Sequence, residues 1–298
     1  MDYHNPVLLK ETVDGLDINP DGVYVDVTFG GGGHSKEILS RLGANGKLFA
    51  FDQDEDAWEN ALQDERFILI KENFRYIKRF LRFYGVKSVD GILADLGVSS
   101  HQFDVPERGF STRFDAELDM RMSKKNELNA HKIINEYDEA NLKRVFLDYG
   151  ELKNAPAIAR VIIEARTQKK INTTEELKIV LSRFLPEMVK NKILAQMYQA
   201  IRIEVNQEMD VLKEFLEQSL EILKPEGRLS VISYHSLEDR LVKRFMKNGM
   251  FEGEPERDFF GNFSVPFNTI GKLIIPSDEE IKINNRARSA KLRIAAKK

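Results

Sequence analysis

Four consecutive glycines at 30–33 run straight into His34, and the residues before them, Val25-Asp26-Val27-Thr28-Phe29, read as a β-strand. A strand that ends in such a turn and opens a helix brings bare backbone N–H groups close to a ligand at the helix N-terminus, with no Cβ in the way. The spacing is not the G-x-G-x-x-G dinucleotide fingerprint, and an ordinary tight turn would use the same residues. About 20 residues later Asp52 ends a second β-rich run, where a carboxylate accepts hydrogen bonds from ribose hydroxyls. Its competing role is a helix cap, for which Asp54 is better placed. A third run ends at Glu72-Asn73-Phe74, and Phe74 serves equally well as a cover for an adenine face or as core. The fourth, Gly91-Ile-Leu-Ala-Asp95, sets Asp95 at the carboxyl end of its strand, where open α/β sheets meet both cofactor and substrate.

Positioning these residues takes a parallel sheet. Strand-like runs fall at 23–29, 47–51, 67–71 and 91–95, separated by segments of helical spacing at 34–42, 56–62 and 75–84, with Gly43, Gly46 and Gly85 as breaks. Alternation of this kind is half of a doubly wound α/β fold. The β signal then stops, and 102–208 reads as helical after an irregular opening. Thr173 and Glu176 form a capping-box pattern ahead of Leu177, Val180, Leu181 and Phe184 on one face. An amphipathic helix carrying Leu212, Phe215, Leu216, Leu220 and Leu223 leads back to strand character at 228–234, so the helices interrupt one sheet. Residues 249–271 read as a long loop rich in Gly, Pro and Phe before a short strand near 272–275. The expected organisation is a sheet domain of 1–101 and 209–298, with 102–208 inserted as a helical, substrate-recognition domain.

Composition narrows the chemistry. The 298 residues hold no cysteine, which excludes disulfides, thiolate zinc sites and C5 methylation of pyrimidines through a cysteine nucleophile. The five histidines show no metal-ligand spacing, so no metal is expected. With 48 acids against 45 Lys and Arg, the net charge of −3 gives no global field for nucleic acid, and any basic surface must be local. Beyond Glu280 there are seven Lys or Arg and no acid. Among them Arg286, Arg288, Lys291 and Arg293, beside Asn284 and Asn285, suit phosphate contacts, a solvated surface being the plain alternative. The N-terminus has an early acid and no basic region before an apolar run, and no stretch of about 18 apolar residues occurs, so a soluble, cytoplasmic protein is expected. Ser233, His235 and Asp239 imitate a hydrolase triad, but the nucleophile-elbow glycines are missing. A polar turn bordering the substrate cleft is the simpler reading.

The glycine turn resembles the Asp-x-x-x-Gly-x-Gly turn of S-adenosylmethionine methyltransferases, where a zwitterionic amino acid replaces the pyrophosphate. Amino-methyltransferases of DNA and RNA follow the acid of the fourth strand with Pro-Pro and an aromatic, whereas this chain has Asp95-Leu-Gly-Val-Ser-Ser-His-Gln102. That run, with Arg108-Gly-Phe-Ser111, Leu118-Asp-Met-Arg-Met122 and His4-Asn-Pro-Val-Leu-Leu-Lys-Glu11, resembles the bacterial small-subunit ribosomal RNA (cytosine-N4)-methyltransferases of the RsmH or MraW type. Further matches are Gln199-Ala-Ile-Arg-Ile-Glu-Val-Asn206, Ser233-Tyr-His-Ser-Leu-Glu-Asp-Arg240 and Arg286-Ala-Arg-Ser-Ala-Lys-Leu-Arg293. The departures are Thr112 where an aromatic is usual, Glu117 and Asn285 for Pro, and Tyr198 for Phe; none touches the glycine turn.

The resemblance implies a Rossmann-like methyltransferase sheet, S-adenosylmethionine as cofactor, and one cytidine of small-subunit ribosomal RNA as substrate, within the small ribosomal subunit. It places cofactor contacts on Gly32, Gly33, His34, Asp52, Phe74, Asp95 and Gln102, of which His34 and Gln102 come from the family pattern alone. Asp95 is the candidate acceptor for the protons of the target amine, and the target base must be unstacked or single-stranded. The rival from another class is an RNA-binding ribosome-assembly factor that keeps the fold without turnover.

Overall fold

The computed structural model of the protein describes residues 6–255, 257 and 263–298. His4 and Asn5 of the N-terminal motif lie outside the described residues. The chain forms two compact units, one of Met1–Gly97 with Met209–Lys298 and one of Val98–Glu208.

The first unit is built on a seven-stranded sheet in the order β3-β2-β1-β4-β5-β7-β6. Its strands are β1 (Val23–Asp26), β2 (Lys47–Phe51), β3 (Phe67–Ile70), β4 (Val89–Asp95), β5 (Leu223–Ser233), β6 (Phe267–Ile274) and β7 (Lys291–Lys297). The helices, numbered along the whole chain, begin with α1 (Leu9–Asp14), α2 (Gly33–Arg41) and α3 (Ile77–Phe83). Strands β3, β2, β1, β4 and β5 are mutually parallel, while β7 runs antiparallel to both β5 and β6. The fold is Rossmann-like α/β. Because β2 lies on one side of β1 and β4 on the other, the strand order reverses there, and a crevice opens at their carboxyl ends.

Burial on both faces explains the nearly continuous apolar strands. Val25, Phe49 and Ile92 point to one side, into a core with Phe215, Leu216 and Phe245. Their neighbours Tyr24, Leu48 and Leu93 point to the other, against Ile38, Leu39, Val13 and Leu16.

The second unit contains α4 (Ser100–Asp104), α5 (Ala130–Glu136), α6 (Glu139–Asp148), α7 (Ala155–Gln168), α8 (Thr174–Leu181) and α9 (Lys190–Asn206). They close around Phe146, Ile158, Ile162, Leu177, Met197 and Ile201. Thr173 caps α8 as its spacing predicts, accepting from Glu176 N at 3.3 Å. The Glu176 carboxylate, however, turns to Asn172 N at 2.7 Å. Helix α10 (Glu208–Ile222) returns the chain to the sheet, α11 (Ser236–Asn248) follows β5, and α12 (Asp278–Ile283) precedes β7.

Four local expectations need correction. Strand β1 stops at Asp26, three residues early, because the chain bends into the glycine turn, although Val27 and Phe29 still donate to Leu93 O and Phe51 O. The segment at 56–62 is a 3-10 turn over Glu55–Asn60, set by Asp54 accepting from Asp56 N. Strand β5 starts at Leu223 rather than 228, so the last apolar residue assigned to the preceding helix belongs to the sheet. The basic tail contains β7, an interior strand with Leu292, Ile294, Ala295 and Ala296 buried, and β6 beside it begins five residues before the expected strand.

Candidate active site

The glycine turn is shaped by both conformation and space. Gly32 lies at φ 75°, where a side chain is strained, and caps α2. A Cβ on Gly33 would stand 2.1 Å from Pro6 Cγ, so Pro6 packs directly on the turn. Above Gly30 a Cβ would meet only Thr28 O at 4.0 Å, which leaves the turn open on that side.

Buried Asp26 anchors the turn from below. It accepts from Ser35 Oγ at 2.7 Å and from Thr28 N at 3.1 Å. Burial pushes it from 3.8 to about 6, against those hydrogen bonds. Asp52, at the end of β2, accepts from Gly30 N at 2.8 Å through Oδ2 and from Asp54 N at 2.8 Å through Oδ1. Burial outweighs both donors and pushes it to about 7. Asp52 therefore braces the glycine turn with one lone pair of each oxygen and can offer the others to a ligand. The capping role falls to Asp54, as its position suggests. Phe74 lies in the short turn after β3, partly buried, its ring edge-on to Phe215 at 5.3 Å between centroids.

Asp95 closes the arrangement from β4. Its backbone N–H donates to Thr28 Oγ1 at 2.7 Å, and its Oδ1 accepts from the Tyr234 hydroxyl at 2.7 Å. Its Oδ2 stands 3.9 Å from Nδ1 of buried His34, and the Asp95 side chain remains 23% exposed. Desolvation dominates nonetheless, lifting the carboxyl to about 6 against the hydrogen bond from the Tyr234 hydroxyl. His34 Nε2 lies 3.1 Å from Val7 O. Burial lowers the imidazole's pKa below its usual value, so the neutral ring donates through Nε2–H and leaves Nδ1 as an acceptor. Nδ1 and Asp95 Oδ2 are then two acceptors facing each other, a fork for an N–H donor.

The structure thus brings Gly32, Gly33, His34, Asp52 and Asp95 together around one crevice. Gln102 belongs to the helical unit, where it is buried in a reciprocal cap with Ser99. Three contributors escaped the sequence: Val7, which orients His34; Thr28, which holds Asp95 from the backbone; and Tyr234, which bonds it directly. Tyr234 sits inside the Ser233 to Arg240 motif and supplies in space the aromatic neighbour that the residues following Asp95 lack.

No hydrolase triad forms. Ser233 Oγ donates to Lys291 O at 3.4 Å, and Asp239 is clasped by Arg293 Nε at 2.8 Å and Lys291 Nζ at 3.2 Å. Burial would raise Asp239, but those two cations hold it below its usual value. The four basic residues of the tail therefore do different things. Lys291 and Arg293 fasten β7 to α11, while Arg286 and Arg288 stand on the 3-10 turn Asn285–Ser289, where Arg288 is exposed.

A family model described as the MraW methylase family matches residues 1–298. The chain is 82% identical over 297 residues to Ribosomal RNA small subunit methyltransferase H of Flavobacterium johnsoniae, covering 100% of this chain and 98% of that protein. The protein of that name in Flavobacterium psychrophilum is 81% identical over 291 residues, covering 98% and 100%. Its counterpart in Bacteroides fragilis is 56% identical over 297 residues, covering 99% and 98%. Among solved structures, an rRNA methylase from Streptococcus thermophilus aligns over 100% of this chain and 98% of its own, at 13% identity and a TM-score of 0.44.

Proposed function

The chain belongs to the MraW methylase family, and we propose that it methylates the exocyclic N4 of one cytidine in small-subunit ribosomal RNA, within the small subunit, with Asp95 as proton acceptor. That it is a methyltransferase of ribosomal RNA using S-adenosylmethionine follows from the family and its full-length relatives. The observation that carries the finer reading is Asp95 at the carboxyl end of β4, with one oxygen held by Tyr234, the other 3.9 Å from His34 Nδ1, and the side chain 23% exposed.

The residues present fit the cofactor. The open face above Gly30 and the α2 N-terminus at Gly32, Gly33 and His34 suit a carboxylate and an amino group, Asp52 suits ribose hydroxyls, and Phe74 suits the adenine face. Gln102 is assigned to the cofactor by the family pattern alone. When bound there, S-adenosylmethionine would supply a methyl group activated by its positively charged sulfur, which would leave as the neutral thioether. The cytosine amine is a weak nucleophile because its lone pair is delocalised into the ring. Asp95 Oδ2 orients that amine by accepting one of its protons, and a fixed in-line approach in a desolvated crevice supplies much of the acceleration. We further assign substrate recognition to the helical unit, which the chain enters directly from β4. Among the described residues no helix is long and apolar enough to cross a membrane.

The test is methyl transfer from labelled cofactor to naked RNA, small subunits and intact ribosomes, followed by nucleoside analysis. N4-methylcytidine formed chiefly on small subunits is expected. A different methylated nucleoside would overturn the specificity.

Asp52→Ala is expected to weaken cofactor binding by about 2 kcal/mol, on the order of thirty-fold, through loss of hydrogen bonds to the ribose and of the brace on Gly30 N. Titration calorimetry on a variant shown to be folded measures it, and unchanged affinity removes Asp52 from the cofactor site. For the tail, Arg288→Gln is expected to weaken RNA binding and reduce the slope of log affinity against log salt by about one, with cofactor affinity unchanged. Arg293→Gln is expected instead to lower the melting temperature, because it leaves Asp239 with Lys291 alone. Equal salt slopes for wild type and Arg288→Gln would make the turn a solvated surface.

A further inference from the structure

The motif Ser233-Tyr-His-Ser-Leu-Glu-Asp-Arg240 is polar and forms no triad, yet Tyr234 within it bonds Asp95. Strand β5 pairs with β4 so that Ile232 is opposite Asp95, and Leu96 N donates to Ile232 O at 3.0 Å. Two residues on, Tyr234 is fixed from both ends. Its backbone N–H donates to Glu238 Oε2 at 2.8 Å, a carboxylate buried in the first turn of α11, and its hydroxyl donates to Asp95 Oδ1 at 2.7 Å. An ionised carboxylate only accepts, so the phenolic hydrogen must lie on the Asp95 side.

We propose that Tyr234 is the positioning residue for Asp95: its hydroxyl occupies Oδ1, fixes the plane of the carboxylate and reserves Oδ2 for the amine proton. The inference rests on the reading of Asp95 given above. In the step it serves, the N4–H bond breaks and an O–H bond forms at Oδ2. The N–H electron pair stays on nitrogen, replacing the pair that made the new bond to carbon. Burial and the adjoining carboxylate keep the Tyr234 phenol far above its usual pKa, so it is a permanent donor. The same hydrogen bond favours ionised Asp95 and offsets part of the desolvation that raises it.

The groups facing Asp95 are His34 from α2, Asp26 from β1, Glu238 from α11 and Tyr234 itself. The Tyr234 hydroxyl favours the ionised form, as His34 would only when protonated, while Asp26 and Glu238 oppose it. Removing the hydroxyl therefore has a definite sign. Asp95 must be ionised to accept a proton, so activity is lost as pH falls through its pKa, and without Tyr234 that loss comes at higher pH.

Tyr234→Phe removes one oxygen and no packing volume. Single-turnover methylation of small subunits at saturating cofactor is expected to fall about tenfold near neutral pH, with the acid limb of the pH–rate profile displaced upward by about one unit. Cofactor affinity is expected to stay within about twofold of wild type. A readout independent of activity is the carboxyl-13C titration of Asp95 in the free protein, assigned by its disappearance in Asp95→Asn, which is expected to move upward by the same amount. Site-specific 3-fluorotyrosine at 234, a stronger donor, is expected to move both downward. If both titrations coincide in all three proteins while Asp95→Asn abolishes the acid limb, the inference falls and the reading of Asp95 stands. Normal turnover by Asp95→Asn would remove the reading itself.

Discussion

Asp95→Asn is expected to cut the single-turnover rate at saturating cofactor by more than tenfold while leaving the protein folded and able to bind the cofactor at least in part. An amide is a poorer acceptor and takes up no proton at neutral pH, so the variant loses the acceptor that both orients the amine and removes its proton. Its carbonyl oxygen still accepts from the Tyr234 hydroxyl, and its backbone N–H still reaches Thr28, so the local structure persists. Stability supplies a second check with the opposite sign. Burial raises the folded pKa of Asp95 from 3.8 to about 6. A group shifted this way stabilises the folded state below its unfolded pKa, and that contribution disappears as pH rises through the folded one. The neutral amide has no such dependence. The variant is therefore expected to gain melting temperature relative to wild type as pH rises from about 4 to about 6, between the unfolded and folded pKa values of Asp95, and to hold that gain at higher pH. Near-normal turnover together with that gain would show a buried acid that tunes stability and takes no part in the transfer.

The sequence carried the site further than it carried the fold's last third, for physical reasons visible in particular residues. Strands β1, β2 and β4 are largely buried, and glycine breaks lie between β1 and β2 and between β3 and β4, so they stand out as short apolar runs. The acids that end them had to lie at the carboxyl edge once the sheet was parallel. Strand β7 carries alternating Lys291, Leu292, Arg293 and Ile294, a period of two that reads as a strand only when its charges are known to have partners. Asp239 supplies that partner across 54 residues of chain, which no local pattern expresses. Tyr234 was hidden for the same reason: its hydroxyl acts on a residue 139 positions away. The direction of His34 depends on the backbone carbonyl of Val7, and a backbone atom leaves no mark in residue identity.

Gly33→Ala sets two local effects against each other. Gly33 is the first residue of α2, where alanine is ordinarily favoured over glycine by up to about 1 kcal/mol. Against this, the new methyl would meet Pro6 Cγ at 2.1 Å, with Pro6 Cδ and Cβ at 3.1 and 3.3 Å. Three atoms of one rigid ring cannot give way by rotating, so Pro6 itself must move, and overpacking of this kind costs about 1–3 kcal/mol. The displacement reaches the site within one residue, since the carbonyl of Val7 holds His34 Nε2 and thereby aims Nδ1 at Asp95. Cofactor affinity is therefore expected to fall by at least tenfold, with the melting temperature unchanged or a few degrees lower. Calorimetric titration and thermal melting of the same preparation separate the two effects. A variant that melts higher and binds the cofactor normally would mean that the helix preference prevails and that the N-terminal segment is only a cover. Weakened binding with unchanged melting would identify Pro6 and Val7 as the support that fixes the histidine.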